Sequence, residues 1–433
     1  MAANPVKGSS VSAGPPKKGD RTLKISKKSN RQAATAKPPA PGERKAMRKR
    51  VVLSNTNALE VQGMQDLSLK NMASEESRRR VLKLPGPLVD SLRALEAFKP
   101  NQGWSLFRNP SVLWREESIR LAQVISNLDK FQGGEARRIL LSGEKGSGKT
   151  VMALQVMAMA LLKGWVVINI PDAKDLVNAH TAYAPLPGST PRQWVQKTYT
   201  ANLLSQIARA NAEVLSKMSL SMRHDLPIPV QSNMSLDRFA ELGAQDPDIA
   251  WPIFQALWNE LTGPGRPPVL YALDNLNHVM RQSEYLDPEL NFIHAHDLAL
   301  VRHFIQHLSG AQDLPNGGIV IAATSESNKP SSPALQLVER QAEARMRGVI
   351  EDAVPKLDPY TTIDRRSLES LATIEVTRLK GLSRGEAKAM MEYYAASGML
   401  RQVVNQRLVT EKWTLAGGGI IGELERGTLR MRP

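Results

Sequence analysis

Apolar positions along the chain follow two alternating rhythms. Short, near-continuous apolar runs occur at residues 138–142 (RILLS), 165–171 (WVVINIP), 268–274 (PVLYALD) and 319–325 (IVIAATS). Runs of this length and composition suit strands buried on both faces of a sheet. Between them lie segments whose apolar residues recur near the helical period: 110–131, with Leu113, Leu121, Val124, Ile125, Leu128 and Phe131, then 151–162, about 190–217, 247–261 and 297–308. The punctuation agrees with this reading. Asn109-Pro110 offers an N-cap and first helical turn, Gly164 a stop, Thr190-Pro191 the start of a long helix, and TGPGRPP at 262–268 a break before the third strand. Strands alternating with helices predict an α/β fold: a parallel sheet covered by helices on both faces.

Both ends of the chain depart from the pattern. Residues 356–433 bring a short strand (IEVTRL) and then Ser383-x-x-Glu386, a capping box opening a helix that stops before Gly398, so a small, mainly helical C-terminal domain is expected. Residues 51–100 read as an N-terminal extension closing in a helix near 87–98, and 101–355 as the sheet domain. Residues 1–50 show no apolar period at all.

Charge sharpens that last boundary. The chain of 433 residues carries a formal net charge of +15, and residues 1–50 hold fourteen Lys or Arg against two acids, leaving 43 basic and 40 acidic residues for everything after them. A basic, Pro-, Gly- and Ser-rich segment cannot offset its ordering entropy by burial, so a disordered arm is expected. It suits a polyanion such as RNA. A mitochondrial targeting segment is the second reading, although lysines lead and Pro15-Pro16 breaks any amphipathic helix. A solvated tail, or a nuclear signal such as KAMRKR, is the third. With no cysteine there are no disulfides and no thiolate metal sites. The apolar run at 151–162 has 12 residues where a membrane span needs about 18 or more, so no membrane association is expected.

The candidate chemistry lies between the first strand and the helix after it. Gly143-x-x-x-x-Gly148-Lys149-Thr150 has the spacing of a phosphate-binding loop. Its glycines let successive backbone N–H groups converge on phosphate oxygens at a helix N-terminus. Lys149 reaches the β and γ phosphates as a point charge, and the Thr150 hydroxyl ligates Mg²⁺. The expected cofactor-binding residues are Gly143, Glu144, Lys145, Gly146, Ser147, Gly148, Lys149, Thr150 and Val151, together with Ser325. VLYALD ends in Asp274, a carboxylate at a strand end and the partner of Thr150 on the metal side. A full strand between the two motifs suits the larger, ATPase-like branch of P-loop folds. That branch often carries a water-activating Glu after the acid; here the position is Asn275, which cannot take a proton. Ser325, at the next strand end, is placed to sense a γ phosphate or is an ordinary strand-end serine. Asn328-Lys329-Pro330-Ser331 lacks the carboxylate with which Asn-Lys-x-Asp reads guanine, so the base is not legible. His303 and His307 fall opposite the apolar face of their helix, which points to a solvated or RNA-facing surface rather than, with His294 and His296, a zinc site.

GEKGSGKT, WVVINIPDA, VLYALDNLN, LALVRHF and NGGIVIAATS, in this order and spacing, resemble the death-associated protein three family over roughly residues 100–430. The resemblance implies a nucleotide-binding protein of the mitochondrial ribosome's small subunit, placed in its head in the mitochondrial matrix. Its partners would be the small-subunit rRNA, neighbouring head proteins and the large subunit. It also implies a bound guanine nucleotide, GTP or GDP, with ATP the alternative the residues leave open, together with Mg²⁺ at Thr150 and Asp274. Catalytic residues are expected to be absent and GTPase activity at most residual. The class rival is an AAA-like or signal-transducing switch ATPase whose helical lid is residues 356–433 and whose arginine finger is Arg340, Arg345 or Arg347.

The arm reading yields one prediction. If about half of the arm's basic side chains neutralise phosphates, deleting residues 2–50 flattens the slope of log K against log salt for rRNA binding by about 5, at about 0.7 per single-strand contact. A salt titration of intact and truncated protein measures this. Equal slopes would leave the arm to targeting or to no binding role.

Overall fold

The apolar runs become strands of a single sheet because every one of them has two faces to bury. The computed structural model describes residues 51–128, 134–327, 329–350 and 353–429. The arm and Phe131 therefore lie outside the described residues. The sheet strands are β1 (Ala136–Gly143), β2 (Val166–Ile170), β3 (Val269–Asp274), β4 (Gly318–Ala323) and β5 (Glu375–Leu379). All pairs are parallel, in the order β5-β1-β4-β3-β2. The strand that separates β1 from β3 in space is thus β4, not β2, which separates them in sequence.

Alternation along these strands serves two cores. Ile139, Leu141, Leu270, Ala272, Ile319 and Ile321 point into one, packed with α1 (Gly86–Ala94), α2 (Glu116–Leu128) and α3 (Lys149–Leu162). Leu140, Val269, Tyr271, Leu273, Val320 and Ala322 point into the other, with α4 (Lys197–Ala210), α5 (Leu236–Gln245), α6 (Ala250–Thr262) and α7 (Ala299–Ser309). α3 is apolar nearly all round, its methionines Met152, Met157 and Met159 buried as core. The parallel sheet with helices on both faces is as expected.

The extension is part of this core rather than an appendage. Leu53, Leu67, Leu82, Leu84 and Phe98 join the first cluster, and the buried Trp114 Nε1 donates to Met72 O at 2.8 Å. Residues around Asn109-Pro110 do not open a helix: Ser111–Leu113 pairs antiparallel with Val81–Lys83, and α2 begins only at Glu116. The long helix expected from Thr190 likewise begins later, at Lys197. Leu186 N donates to Gln193 O, and Ala184–Pro185 pairs with Trp194–Val195, so the chain there is held extended. Between α4 and α6 lies α5, whose Leu236, Phe239 and Ala240 face the core.

His303 and His307 correct the reading of α7. Their face is not solvated but packed against aromatic rings, with Trp258 4.4 Å from His303 and 4.6 Å from His307 between ring centroids. Burial lowers both imidazole pKa values, which favours their neutral form. His294 pairs with Asp364 at 2.9 Å, and among the described residues no group of three or more His, Cys, Asp or Glu is placed to hold a metal.

After α8 (Pro333–Met346), the C-terminal segment first completes the main sheet with β5, paired to β1 from Glu375↔Ile139 to Leu379↔Gly143. α9 (Arg384–Ala396), α10 (Gln406–Leu415) and α11 (Ile421–Thr428) then form a further core around Met391, Tyr394 and Val409, which also takes in Phe107 and Leu113. The capping box is present: Ser383 accepts from Glu386 N, and Ser383 N donates to the Glu386 carboxylate at 2.8 Å. Among the described residues no helix is long and apolar enough to cross a membrane.

One buried charge holds the long irregular segment between α4 and α5. Glu260 on α6 is fully buried and accepts from Ser221 N, Ser221 Oγ, Met222 N and His224 Nε2, with Arg266 Nη2 at 2.7 Å. Burial alone would raise its pKa, but the hydrogen bonds from Ser221, Met222 and His224 hold it down at about 2. A carboxylate depressed in the folded state contributes stability above its ordinary pKa and loses it as pH falls towards the folded value. Glu260→Gln is therefore expected to cost about 3 kcal/mol at pH 7, with the gap to the unsubstituted protein narrowing as pH falls below about 4. Urea midpoints at pH 7 and at acid pH measure it. A gap that does not change with pH would show that the carboxylate charge is not what anchors the segment.

Candidate nucleotide-binding site

β1 and α3 are joined by the glycine-rich turn, whose backbone only glycine tolerates well. Gly146 and Gly148 have φ of +79° and +97°, and a Cβ on Gly143 (φ +146°) would lie 2.5 Å from Leu379 O. Gly148 is the residue from which α3 starts, so the loop amides and the helix N-terminus face the same space. Glu144, Lys145 and Gly146 are exposed along the outer rim, and Val151 is half-buried on the first turn of α3.

Lys149 is buried and donates from Nζ to Gly143 O at 2.6 Å and Glu144 O at 2.9 Å, spanning the mouth of its own loop. Burial lowers its pKa, opposed by the carboxylates of Glu326, Glu339 and Asp274. Thr150 Oγ1 donates to Asp274 Oδ2 at 3.0 Å, so the two residues expected on the metal side meet across 124 positions of sequence. Burial raises the Asp274 pKa, and the Lys99 charge, the Thr150 hydrogen bond and the Asn275 N–H oppose that rise. Ser147 Oγ is buried without a hydrogen-bond partner among the described residues. A cationic amine, a hydroxyl–carboxylate pair, an unsatisfied buried hydroxyl and a glycine turn at a helix N-terminus fit a magnesium-bound phosphate chain.

Asn275 follows Asp274 in the left-handed region (φ +64°, ψ +43°). Its N–H donates to Asp274 Oδ1 at 2.9 Å, and its amide donates to Asp172 Oδ1 at 2.8 Å. Ala173 N donates to Asp274 O at 2.9 Å, so the IPDA turn after β2 wraps the end of β3. Ser325 sits just past the end of β4, where its N–H donates to Asn277 Oδ1 at 2.7 Å and its hydroxyl to Ser327 O at 3.1 Å. Asn328 lies outside the described residues. Ser331 is exposed, and Lys329 pairs with Glu326 at 2.6 Å.

The C-terminal segment comes directly to the phosphate loop. Gly422 N, at the start of α11, donates to Gly146 O at 3.0 Å, and a Cβ on Gly146 or Gly148 would touch Ile420 or Ile421. The buried Arg115, before α2, ties the same parts together, donating to Ser147 O at 3.1 Å and to Lys380 O, just past β5, at 2.7 Å. An open cleft of about 500 Å³ borders the loop, lined by Glu144, Arg347, Arg378, Lys380, Gly417 and Ile420 among others. Of the arginines considered as fingers, Arg347 pairs with Glu343 on the rim of this cleft, and Arg340 and Arg345 are exposed.

Sequence reasoning did not single out Lys99, Asp172, Arg115, Glu326 or Glu339. Asp172 stood within IPDA and could have been noticed as a second strand-end acid. Glu326 directly follows Ser325 and could have been noticed with it; Lys99, Arg115 and Glu339 carry no local signal, because each reaches the site from a segment remote in sequence.

Comparison with known proteins agrees with the motif order. The family model for mitochondrial ribosomal death-associated protein 3 matches residues 112–427. Small ribosomal subunit protein mS29 of Neurospora crassa is 44% identical over 414 residues, covering 94% of this chain and 86% of the relative. The protein of the same name from Schizosaccharomyces pombe is 25% identical over 352 residues, covering 80% of this chain and 70% of the relative. Among solved structures, the Aeropyrum pernix ORC2 protein in its ADP form is similar at 18% identity with a TM-score of 0.34, covering 72% of this chain and 60% of that one. At that distance the strand order, not the likeness, carries the fold. The match across 112–427 and the 44% identity together make this chain a member of the mitochondrial ribosomal death-associated protein 3 family, and a mitochondrial protein.

Proposed function

We propose that the chain is a structural protein of the small subunit of the mitochondrial ribosome, seated in the subunit head. It would contact rRNA and neighbouring proteins there and retain a guanine nucleotide with Mg²⁺ as a brace or slow switch. The relatives named mS29 support the ribosomal part. The Thr150–Asp274 contact at 3.0 Å beneath the glycine turn carries the nucleotide part.

On this reading Gly143 to Val151 hold the phosphates, and Thr150 and Asp274 hold the metal, which screens phosphate charge when bound. Asn275 is the residue that separates brace from fuel. It offers an amide where a base would be needed, and that amide is engaged with Asp172. Positioned general bases typically contribute about 10² to 10⁴ in rate, so their lack favours retention. A brace also suits a loop to which β5, Arg115 and α11 are all tied, since order at the phosphates stiffens three distant segments together. The switch-ATPase reading draws on one observation, the seating of Gly422 on Gly146 in the manner of a lid. Nothing in the hydrogen bonding of Arg347, which pairs with Glu343, commits it as a finger.

Lys149→Ala combined with Thr150→Ala removes both the phosphate cation and the metal hydroxyl. The double variant is expected to purify without nucleotide and to melt at lower temperature, because a ligand at 100 times its Kd contributes about 2.7 kcal/mol. Stoichiometric nucleotide released from the denatured double variant would remove the phosphate-loop assignment. An unchanged melting temperature despite lost nucleotide would remove the brace.

A further inference from the structure

At the metal end of the site stands a cation that comes from outside the phosphate loop. α1 ends in a left-handed turn: Glu96 has φ +52°, with Ala97 N donating to Leu92 O at 3.1 Å. Glycine usually fills this position, and a non-glycine residue there marks backbone held against its preference. The turn redirects the chain so that Phe98 and Trp104 pack edge to face at 5.1 Å in the core and Lys99 N donates to Gln102 Oε1 at 2.9 Å. The buried Asn169 on β2 donates to Leu95 O at 2.8 Å, fixing this segment to the strand that leads into IPDA. Lys99 Nζ then donates to Pro171 O, one residue before Asp172, whose carboxylate holds the Asn275 amide.

A half-buried lysine on a rigid turn, aimed at the carboxyl ends of β2 and β3, is more organised than a surface charge requires. Ligands of open α/β sheets bind outside these strand ends. In P-loop nucleotide sites the metal bridges β and γ oxygens. A cation at this end of the site would therefore meet a γ phosphate that only a triphosphate carries. We propose that Lys99 is a specificity residue of the nucleotide site, a cation supplied by the N-terminal extension to the terminal phosphate of a nucleoside triphosphate. The proposal rests on the phosphate-loop reading and deepens it: the extension reports which nucleotide the loop holds.

The test uses full-length protein with Mg²⁺ and compares affinities for guanosine diphosphate and for its non-hydrolysable imido-triphosphate analogue. Lys99→Ala is expected to weaken the triphosphate analogue about tenfold or more and to leave the diphosphate within about twofold, as loss of one charge-assisted hydrogen bond would. Lys99→Arg is expected to keep most of the discrimination. Equal weakening of both ligands, or no change in either, would overturn the proposal, since a general field or a packing role does not tell the two apart. Failure of the unsubstituted protein to bind either guanosine nucleotide or the corresponding adenosine pair would remove the phosphate-loop reading, and this proposal with it. Unfolding temperatures of the ligand-free variants show whether a lost affinity is instead a lost fold, an outcome that also counts against it.

Discussion

A buried carboxylate at the end of β3 is the constraint around which this site is built. Taking an ionised Asp out of water is costly unless its oxygens find partners, and Asp274 finds them from every side. The Thr150 hydroxyl reaches one oxygen and the Asn275 N–H the other, while Lys99 adds a charge. Each partner belongs to a different segment: α3, the turn after β3, and the extension. Keeping Asp274 satisfied therefore fixes how the phosphate loop, the IPDA turn and residues 95–104 meet. The sheet supplies the place, because β3 lies one strand from β1 and their carboxyl ends open on the same side.

The same economy explains why the chain's ends converge on the loop. Gly143 leaves room for Leu379 O of β5, and Gly146 for Ile420 and Gly422. Arg115, buried with Ser147 O and Lys380 O as acceptors, bridges what remains. A loop so tied on its outer side cannot reshape without disturbing β5 and α11. That is the physical content of a brace, and it does not depend on bond cleavage.

Much of this was legible from residue order alone. The four apolar runs became β1 to β4 within one or two residues, because strands covered on both faces must be apolar at consecutive positions. The pairing of Thr150 with Asp274 follows from the sequence, since the chemistry of a metal-bound phosphate demands a hydroxyl and an acid. Tertiary context decided the rest. Val112 and Leu113, read as helix, are strand because Val81–Lys83 lies beside them, and no local signal at Asn109-Pro110 announces that partner. His303 and His307 were read as a polar face because histidine is polar in sequence; Trp258 and Phe254 of α6 made that face a core. IEVTRL was recognised as a strand, but its place at the edge of the main sheet depends on β1, more than two hundred residues earlier. Lys99 was invisible for the same reason.

Membership of a mitochondrial ribosomal family fits the proposed nucleotide site, in which Asn275 stands where the usual base would, for an assembled subunit gains from a ligand that stays. Multiple-turnover phosphate release, with Mg²⁺ and GTP in large excess over the isolated protein, tests that claim most directly. Retention predicts no more than residual turnover, because Asn275 cannot take a proton and its amide is held by Asp172. Sustained turnover on the order of 1 s⁻¹ or faster, within the usual range of enzymes and unchanged by Asn275→Ala, would contradict it and make the nucleotide a fuel.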